Sequence, residues 1–398
     1  MKFIVLIGDG MADRPQEALG GRTPLQAAFT PNMDRLAREA TQFGLARTLP
    51  DGLPTGSDVA NLSIMGYDPR RYYTGRAPLE AASMGVSLRE GDVAFRCNLI
   101  TLSFNPQRTK AFLQDHSAGH ISSQEARELI EALNAEVATP EVRFYPGVSY
   151  RNLMVWHGGS AELECTPPHD ILGKDITDYL PAGQGEELLR ALMRRSVDVL
   201  EHHPVNKARV RAGKRPANSI WLWGQGRRPQ LPPFQELYGP TGAVVCAVDL
   251  LKGLGLQVGL RAVEVPGATG YLDTNYQGKA EYALRALAEV DLVYLHVEAP
   301  DEASHEGSLG SKLKAIEDFD ALTVGTLLRG LGEFQRVRVL LMPDHATPLQ
   351  VRTHTPEPVP FVIYDSARKG QGPEGFSEAI SSPRVIEAHT LMGRLIRG

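Results

Sequence analysis

Carboxylate and imidazole side chains follow the apolar runs of this chain at the points where the runs stop. Near the C-terminus, "VRVLLMPDH" ends in Asp344 and His345, and His354 follows nine positions later. A buried unpaired charge is costly, and Asp and His are common ligands of divalent ions, so a metal would explain this ending. A surface loop with titratable residues would explain this one stretch equally well.

Two other apolar runs end in the same way. Asp9 follows "FIVLIG", and Asp301 and His305 follow "LVYLHVEAP". Residues four apart share one face of a helix, so Asp301 and His305 could bind one ion if a helix begins there. Each residue alone could be a turn or cap residue. Because ligands of open α/β sheets bind at the carboxyl ends of strands, we expect the three positions to meet at one rim.

Together these positions supply more ligands than one metal ion needs. Two ions ~3.5–4 Å apart are a common device for holding the attacking and leaving oxygens of a phosphoryl group. A mixed Asp and His set favours Mn²⁺, Zn²⁺ or Co²⁺ over Mg²⁺ or Ca²⁺, which prefer oxygen ligands. The candidate metal ligands are Asp9, Asp301, His305, Asp344, His345 and His354.

Ser57 is the candidate nucleophile for such a site. In "LPTGSDVANLSIMGYDP" it follows a Thr-Gly turn and precedes an apolar segment, which predicts a position at a helix N-terminus. The N–H groups and dipole there favour an oxyanion or phosphate. A Ser in this place is also a common N-cap, and coordination to a metal would be needed to activate its hydroxyl.

The elements that must position these residues indicate an α/β fold. Five apolar runs without alternation, "FIVLI", "AVVCAV", "DLVYLHVEAPD", "VRVLLMPDH" and "VPFVIYD", are typical of strands covered on both faces. Helices are predicted between and after them, including one that starts with Thr30 as N-cap and Pro31 at its first position. Three later segments, 278–290, 313–331 and 386–397, also show helical patterns.

The middle of the chain has a different pattern. Segments that suggest strands, an acidic helix and Pro-rich turns alternate there, which predicts a smaller α+β module inserted into the α/β core. We expect residues 1–90 and 240–398 to form the metal-binding core and residues 91–239 to form the inserted substrate-binding domain. The length of 398 residues favours two domains over one.

Composition limits the partners. A formal net charge of −5 argues against nucleic acid or an anionic membrane as the main partner, so an anionic ligand should be small. With three scattered cysteines, we expect neither a disulfide framework nor a Cys-based zinc site, and this number fits a cytoplasmic location. No apolar stretch approaches the ~18 residues of a membrane span. Whether the protein is a monomer or a homo-oligomer is open.

Several segments together resemble one known family. They are "IGDGMAD", "TPNMDRLA", "PTGSDVANLSIMGYDP", "YYTGRAPLEAAS", "DEASHEG" and "PDHATPLQVRTHTPEPVPF". In this order they are similar to the cofactor-independent (2,3-bisphosphoglycerate-independent) phosphoglycerate mutases, in the archaeal-type branch of the alkaline phosphatase superfamily. The similarity continues into the insert at "DVAFRCNLIT" and "NSIWLWGQG".

The resemblance implies an alkaline-phosphatase-like core with a mostly parallel sheet flanked by helices, an inserted cap, and two ions of the Mn²⁺ type. Asp9, Ser57, Asp344 and His345 match the family positions that bind one ion. The positions for the other ion are matched by Asp301, His305 and His354. Ser57 matches the nucleophile that becomes phosphoserine.

The implied reaction moves the phosphate of 3-phosphoglycerate to the serine and returns it to O2, without 2,3-bisphosphoglycerate, as a step of glycolysis and gluconeogenesis. Paired dications suit phosphoryl transfer, and a cap would exclude water from the phosphoserine. We expect Arg96, Arg151 and Lys279 to bind the substrate phosphate and carboxylate. His116 and His120 stand four apart and could form a third metal site, but we prefer His116 as a substrate contact or proton shuttle.

Three other functions are open. A homoserine kinase-like phosphotransferase would need ATP, and no GxxxxGK[ST] loop is present. A metal-dependent phosphatase or phosphodiesterase would use Ser57 and the metals but release inorganic phosphate. A metal-binding protein without catalysis would not need Ser57.

Overall fold

The chain folds into two compact units in the computed structural model, which describes residues 1–380 and 385–398. Unit 1 comprises Met1–Tyr73 and Gln230–Gly398, and unit 2 comprises Thr74–Pro229. These bounds differ from the predicted positions near 90 and 240. Among the described residues, no helix is both long enough and apolar enough to cross a membrane.

Residues 1–380 and 385–398 contain fifteen strands. They are β1 Lys2–Gly8, β2 Ala40–Arg47, β3 Val93–Phe104, β4 Ala111–Asp115, β5 Val142–Val148, β6 Arg151–Trp156, β7 Leu163–Glu164, β8 Ala182–Gly183, β9 Ser219–Arg227, β10 Gly242–Val245, β11 Arg261–Val263, β12 Leu292–Val297, β13 Val337–Met342, β14 Val359–Asp365 and β15 Val385–Glu387.

Fifteen α-helices connect them within the described residues. They are α1 Pro24–Ala27, α2 Pro31–Arg38, α3 Ser57–Ile64, α4 Pro69–Tyr72, α5 Ala77–Ser83, α6 Ser123–Glu136, α7 Glu186–Leu200, α8 Pro204–Arg211, α9 Phe234–Tyr238, α10 Asp249–Gln257, α11 Tyr276–Glu289, α12 Ala299–His305, α13 Leu309–Asp318, α14 Gly325–Gly330 and α15 Leu391–Arg397. A π-helical turn, Phe319–Val324, links α13 to α14.

Unit 1 is built on an eight-stranded sheet with the order β11-β10-β12-β1-β13-β14-β2-β15. Its strands pair in parallel except for β14, which is antiparallel to both β13 and β2. The central strands β1, β12 and β13 are almost wholly buried, as expected where helices cover both faces. The predicted α/β core with a mostly parallel sheet is confirmed.

The predicted helices of unit 1 are found, but two of them have other bounds. The predicted helix 386–397 begins only at Leu391, because Val385–Glu387 form β15 and Ala388–Thr390 form a 3-10 turn. The segment 313–331 is not one α-helix, because the π-helical turn interrupts it. In that turn the Asp320 carboxylate accepts hydrogen bonds from the backbone N–H groups of Asn32 and Met33. Thr30 is the N-cap residue of α2, as predicted, but its side chain makes no capping bond, and Asp320 satisfies these donors from outside the helix.

Unit 2 has an antiparallel sheet of its own. Its strand order is β4-β3-β6-β5. Strand β9 pairs with residues Val93 to Ile100 of β3. Helices α6 and α7 pack on β5 and β9 and enclose a separate hydrophobic core. A capping box between Ser122 and Glu125 starts α6.

Candidate active site

Parallel pairing aligns the ends of the three central strands of unit 1. Ile7 of β1 is opposite both His296 of β12 and Met342 of β13. Asp9 and Asp344 each lie two residues beyond these aligned positions, so the two carboxylates leave the same edge of the sheet. This is the edge at which α/β proteins bind ligands.

The first donor group consists of Asp301, His305 and His354. Asp301 and His305 are one turn apart on α12, and the Nε2 atom of His305 lies 3.1 Å from Asp301 Oδ2. The loop after β13 brings His354 Nε2 to 3.5 Å from the same oxygen. The predicted helix-face pair therefore forms, and a third donor joins it from a distant segment.

Hydrogen bonds fix the orientation of both imidazoles of this group. His305 Nδ1 lies 2.9 Å from the carbonyl of Arg352, and His354 Nδ1 lies 3.1 Å from the carbonyl of Thr55. A carbonyl only accepts, so each Nδ1 carries the hydrogen and each neutral ring presents an Nε2 lone pair to the site. The two Nε2 atoms are 3.1 Å apart, so a proton or a metal ion must lie between the two lone pairs.

In this group, hydrogen bonds and charges together shift the pKa values more than burial does. Burial alone would lower the pKa of the two histidines, but the Asp301 carboxylate raises the pKa of His305 to about 9 and also raises that of His354. Burial opposes ionisation of Asp301, and bonds from both imidazoles nevertheless hold its pKa well below the usual range. The arrangement of these three side chains therefore stabilises a positive charge.

The second donor group contains Asp9, Asp344 and His345, next to Ser57. His345 Nε2 lies 3.4 Å from Asp9 Oδ1, 3.6 Å from Asp344 Oδ2 and 3.1 Å from the Ser57 hydroxyl oxygen. Asp344 and His345 are fully buried, and Asp9 is nearly so. Asp301 also lies within reach of this group, so the two donor groups adjoin.

Burial dominates the titration of the second group. It raises the pKa of Asp9 well above the usual value, and the nearby carboxylates of Asp344 and Asp301 raise it further. It lowers the pKa of His345 to about 4. Burial acts in the same upward direction on Asp344, but His345 and His296 outweigh it and hold that pKa well below the ordinary range.

Thr347 connects the two donor groups, and the sequence did not reveal it. Its hydroxyl donates to Asp301 Oδ1 over 2.6 Å and lies 3.1 Å from His345 Nδ1. Since that hydroxyl hydrogen is used by Asp301, His345 Nδ1 must be the donor to Thr347 Oγ1. His345 therefore presents its Nε2 lone pair to Ser57.

Ser57 is the first residue of α3, as predicted, with Gly56 as the N-cap residue. Asn61, one turn later, donates from Nδ2 to the Ser57 carbonyl and to Asp344 Oδ2, both over 2.8 Å. Tyr294 of β12 donates to Asn61 Oδ1 over 2.6 Å. Asn61 and Tyr294 thus connect α3, the helix that begins with Ser57, to the candidate metal ligand Asp344.

Gly10 is required for close packing in the first loop. It has a φ of +60°, and a Cβ atom there would lie 2.5 Å from Asp301 Oδ1 and 2.7 Å from Thr347 Oγ1. Its N–H group donates to Asp344 Oδ1 over 3.1 Å. Any side chain at this position would displace the candidate ligands.

His296 and Glu298 are buried titratable residues of unit 1 that sequence reasoning missed. His296 is fully buried on β12, within 3.6 Å of both Asp9 and Asp344. Glu298 and Asp344 raise its pKa to about 9 although burial acts the other way. The sequence did contain a signal for them, because His296 and Glu298 are two positions apart within the apolar run "LVYLHVEAP".

Lys279 is fully buried in unit 1. Its ammonium group lies 2.5 Å from Glu298 Oε2 and donates to the carbonyl of His296 over 3.1 Å. The ammonium group of Lys279 thus contacts Glu298 and the backbone of His296. Binding of substrate by Lys279 stays a prediction.

Unit 2 contains a separate cluster of cations that includes Arg96. This side chain is buried, pairs with Glu80 over 2.9 Å, and its guanidinium carbon stacks 4.3 Å from the centre of the Trp223 ring. Burial and the charges of Arg76 and Arg151 lower the pKa of Arg96 to about 10, against the effect of Glu80. Arg151 itself is exposed.

His116 belongs to the same cluster, together with His169, which was not predicted. The two rings meet edge to face with centres 6.3 Å apart, and His169 also contacts Trp223. Burial, followed by the positive charge of Arg96 among other neighbours, lowers the pKa of both histidines. No third metal group at His116 and His120 occurs among the described residues.

The donor groups of unit 1 suit divalent cations. Three carboxylates and several imidazole nitrogens converge there, and Asp9 Oδ1 is buried without a hydrogen-bond partner in the described part of the chain. The facing lone pairs of His305 and His354 point to the same conclusion. Mixed oxygen and nitrogen donors are those that Mn²⁺, Zn²⁺ and Co²⁺ accept.

Comparisons with known proteins give a consistent result. Residues 37–206 match the sequence model of a family described as 2,3-bisphosphoglycerate-independent phosphoglycerate mutase. A protein of that name from Methanosarcina acetivorans is 56% identical over 403 residues, which cover 100% of both chains.

Two solved structures are similar over the whole chain. A protein from Pyrococcus horikoshii has a TM-score of 0.79 and 30% identity, covering 100% of this chain and 97% of that one. A cofactor-independent phosphoglycerate mutase from Thermoplasma acidophilum has a TM-score of 0.65 and 28% identity, covering 100% and 99%.

Proposed function

This chain belongs to the family of 2,3-bisphosphoglycerate-independent phosphoglycerate mutases, and we propose that it interconverts 3-phosphoglycerate and 2-phosphoglycerate through phosphorylated Ser57. It is an isomerase, and the similarity to mutases favours this activity over a homoserine kinase-like phosphotransferase or a phosphatase. The observation that carries the role of Ser57 is its position at the start of α3, 3.1 Å from His345 Nε2 and beside two donor groups.

The metal ligands that we propose follow the two donor groups. Asp9, Ser57, Asp344 and His345 would hold one divalent ion. The other would be held by Asp301, His305 and His354. When bound, the ions neutralise the charge of the transferring phosphoryl group and favour the alkoxide form of the serine. Mn²⁺ is our first choice, with Zn²⁺ and Co²⁺ as alternatives.

The proposed reaction has two transfers that mirror each other. In the first, the bond between phosphorus and O3 of the substrate breaks, a bond from phosphorus to Ser57 Oγ forms, and the hydroxyl proton of Ser57 ends on O3. In the second, O2 of glycerate takes the phosphoryl group from Oγ and its proton returns to Ser57. The balance requires no ATP, no water and no 2,3-bisphosphoglycerate.

The neighbours of Ser57 prepare it for both transfers. Asn61 holds the first turn of α3 against Asp344, and Thr347 keeps the hydrogen of His345 on Nδ1, away from the serine. The free N–H groups at the start of α3 favour the negative charge that develops near Oγ.

The cation cluster of unit 2 supports a role in binding the anionic substrate. We propose that Arg96, Arg151 and His116 bind its phosphate or carboxylate, with His169 as an additional contact. Arg96, His116 and His169 have a lowered pKa, and Arg151, which is charged, is exposed. Such groups are expected where an anion is bound. A cap function for this unit and a cytoplasmic location stay predictions, as does the oligomeric state.

Phosphorus NMR tests the function directly. Purified protein loaded with Mn²⁺ is incubated with 3-phosphoglycerate alone, without ATP and without 2,3-bisphosphoglycerate. We expect the 2-phosphoglycerate resonance to appear until equilibrium is reached. Release of inorganic phosphate would instead identify a hydrolase, and an unchanged spectrum would overturn the proposal.

A further inference from the structure

His296 is a buried histidine for which the proposed reaction has no role. Its side chain is fully buried on β12, at the edge of the sheet where Asp9 and Asp344 emerge. Neither ring nitrogen makes a hydrogen bond with any described residue. A buried imidazole with two unsatisfied nitrogens is costly unless something else binds it.

The surroundings of the two ring nitrogens differ. Nε2 faces two metal-ligand candidates, at 3.4 Å from Asp9 Oδ2 and 3.6 Å from Asp344 Oδ2. Nδ1 faces Glu298 Oε1 at 3.4 Å. Two donor atoms that share one ion at ~2.0–2.2 Å are separated by about 3.0–3.6 Å, so Nε2 is spaced as a ligand beside the two carboxylates.

Glu298 is held firmly behind the ring. Its Oε1 accepts the N–H group of Ala247 over 2.8 Å, and its Oε2 receives the ammonium group of Lys279 over 2.5 Å. Lys279 also binds the carbonyl of His296. Lys279, Glu298 and His296 thus form a continuous chain of buried groups that ends at the metal-ligand candidates.

A carboxylate behind an imidazole is the usual support of a metal-binding histidine, because it fixes the ring and keeps the hydrogen on the outer nitrogen. We propose that His296 Nε2 is an additional ligand of the ion bound by Asp9 and Asp344, with Glu298 and Lys279 as its positioning residues. This inference rests on the metal site of the proposed function, which does not include these three residues as metal-binding groups.

A crystal structure of the wild-type protein with Mn²⁺ tests the contact without any substitution. Anomalous scattering locates the ions, and we expect one of them ~2.0–2.3 Å from His296 Nε2. An ion bound by Asp9 and Asp344 but more than 3 Å from Nε2 would overturn the inference, since His296 would then be a hydrogen-bond donor to the carboxylates.

Equilibrium dialysis with Mn²⁺ gives an independent readout. The His296→Asn variant should retain one ion with wild-type affinity and bind the other at least about 10-fold more weakly. Glu298→Gln keeps an acceptor for the N–H group of Ala247, and it should weaken binding of the same ion less than His296→Asn does. His157→Asn is the control, because His157 is a partly buried histidine of unit 2 that pairs with Asp92.

The outcomes separate the two proposals. If wild-type protein binds no Mn²⁺, the proposed metal site itself fails. If wild-type protein binds two ions and His296→Asn binds both with unchanged affinity, only the role of His296 is wrong. Circular dichroism of the metal-free variants checks folding, and Glu298→Gln supplies the answer if His296→Asn is unfolded.

Discussion

The Nε2 atoms of His305 and His354 lie 3.1 Å apart, while each ring faces a backbone carbonyl with its Nδ1 atom. Both Nδ1 atoms must therefore carry hydrogens, and two lone pairs meet between the rings. A proton can bridge them in the metal-free protein, and a divalent ion can bind both. This relationship favours a site built for a cation.

Removal of metal should destabilise the protein. A ligand present at 100 times its Kd stabilises the folded state by about 2.7 kcal/mol, so removal of one such ion from this chain of 398 residues by EDTA should lower the melting temperature by about 3 °C, and removal of two by about 6 °C. Differential scanning fluorimetry measures the change, and added Mn²⁺ should restore the original value. An equal melting temperature with and without Mn²⁺ would argue against the site.

Ser57→Ala should abolish mutase activity and leave the fold intact. Loss of a nucleophile costs on the order of 10⁴-fold or more in kcat, whereas most metal donors remain. Ser63→Ala is the matched control, since Ser63 is a buried serine of the same helix, and it should retain activity. Mass spectrometry of quenched wild-type enzyme should find phosphate on Ser57, and phosphate on another residue would contradict the assignment.

Thr347→Val should impair catalysis although the shape of the side chain is kept. The substitution removes the donor to Asp301 and the acceptor for His345 Nδ1, so the imidazole is no longer fixed and a buried carboxylate oxygen loses its partner. We expect kcat to fall about 10–100-fold and Mn²⁺ affinity to weaken.

Thr355→Val provides the comparison for this substitution, because Thr355 lies in the same loop and its hydroxyl interacts with the Ala346 carbonyl at 3.5 Å and with the Glu357 carboxylate, neither of which is a candidate metal ligand. Its activity should stay near that of the wild type. Equal losses in both variants would indicate a general disturbance of the loop.

Arg96→Lys should weaken substrate binding without affecting the metals. Lysine retains the charge but loses the planar group that stacks on Trp223 and pairs with Glu80. We expect KM for 3-phosphoglycerate to rise at least about 10-fold. The matched control is Arg108→Lys, because Arg108 also stacks on an aromatic ring, at 4.1 Å from Phe104, but on the exposed surface.

Asp365 should contribute to stability except in strong acid. Arg336 and Arg338 help to lower its pKa to about 2 against the opposing effect of burial. The folded pKa is below the unfolded value near 4, so the contribution is present above about pH 4 and is lost as the pH falls toward 2.

Urea unfolding of Asp365→Asn measures this contribution. The variant should be about 1–3 kcal/mol less stable than the wild type at pH 7, and the difference should shrink below pH 4. A difference that stays constant down to pH 3 would show that the charge of Asp365 is not responsible.

Local sequence was enough to identify the candidate metal ligands that follow apolar runs. Unbroken apolar runs predict buried parallel strands, and an acidic or imidazole residue at the end of such a run stays at the end of the strand in any packing. Asp9, Asp344 and His345 could be found in this way. The pair Asp301 and His305 depends only on the geometry of one helical turn.

Only the tertiary structure decided which of these groups meet and how they are oriented. The register of β1 with β12 and β13 brings His296 beside Asp9, and a distant loop brings His354 to His305. The direction of Lys279 toward Glu298 and the bridge made by Thr347 depend on side chains far apart in the chain. Sequence patterns report the covalent neighbours and the periodicity of burial, whereas the partner of a buried polar group is fixed by packing between elements.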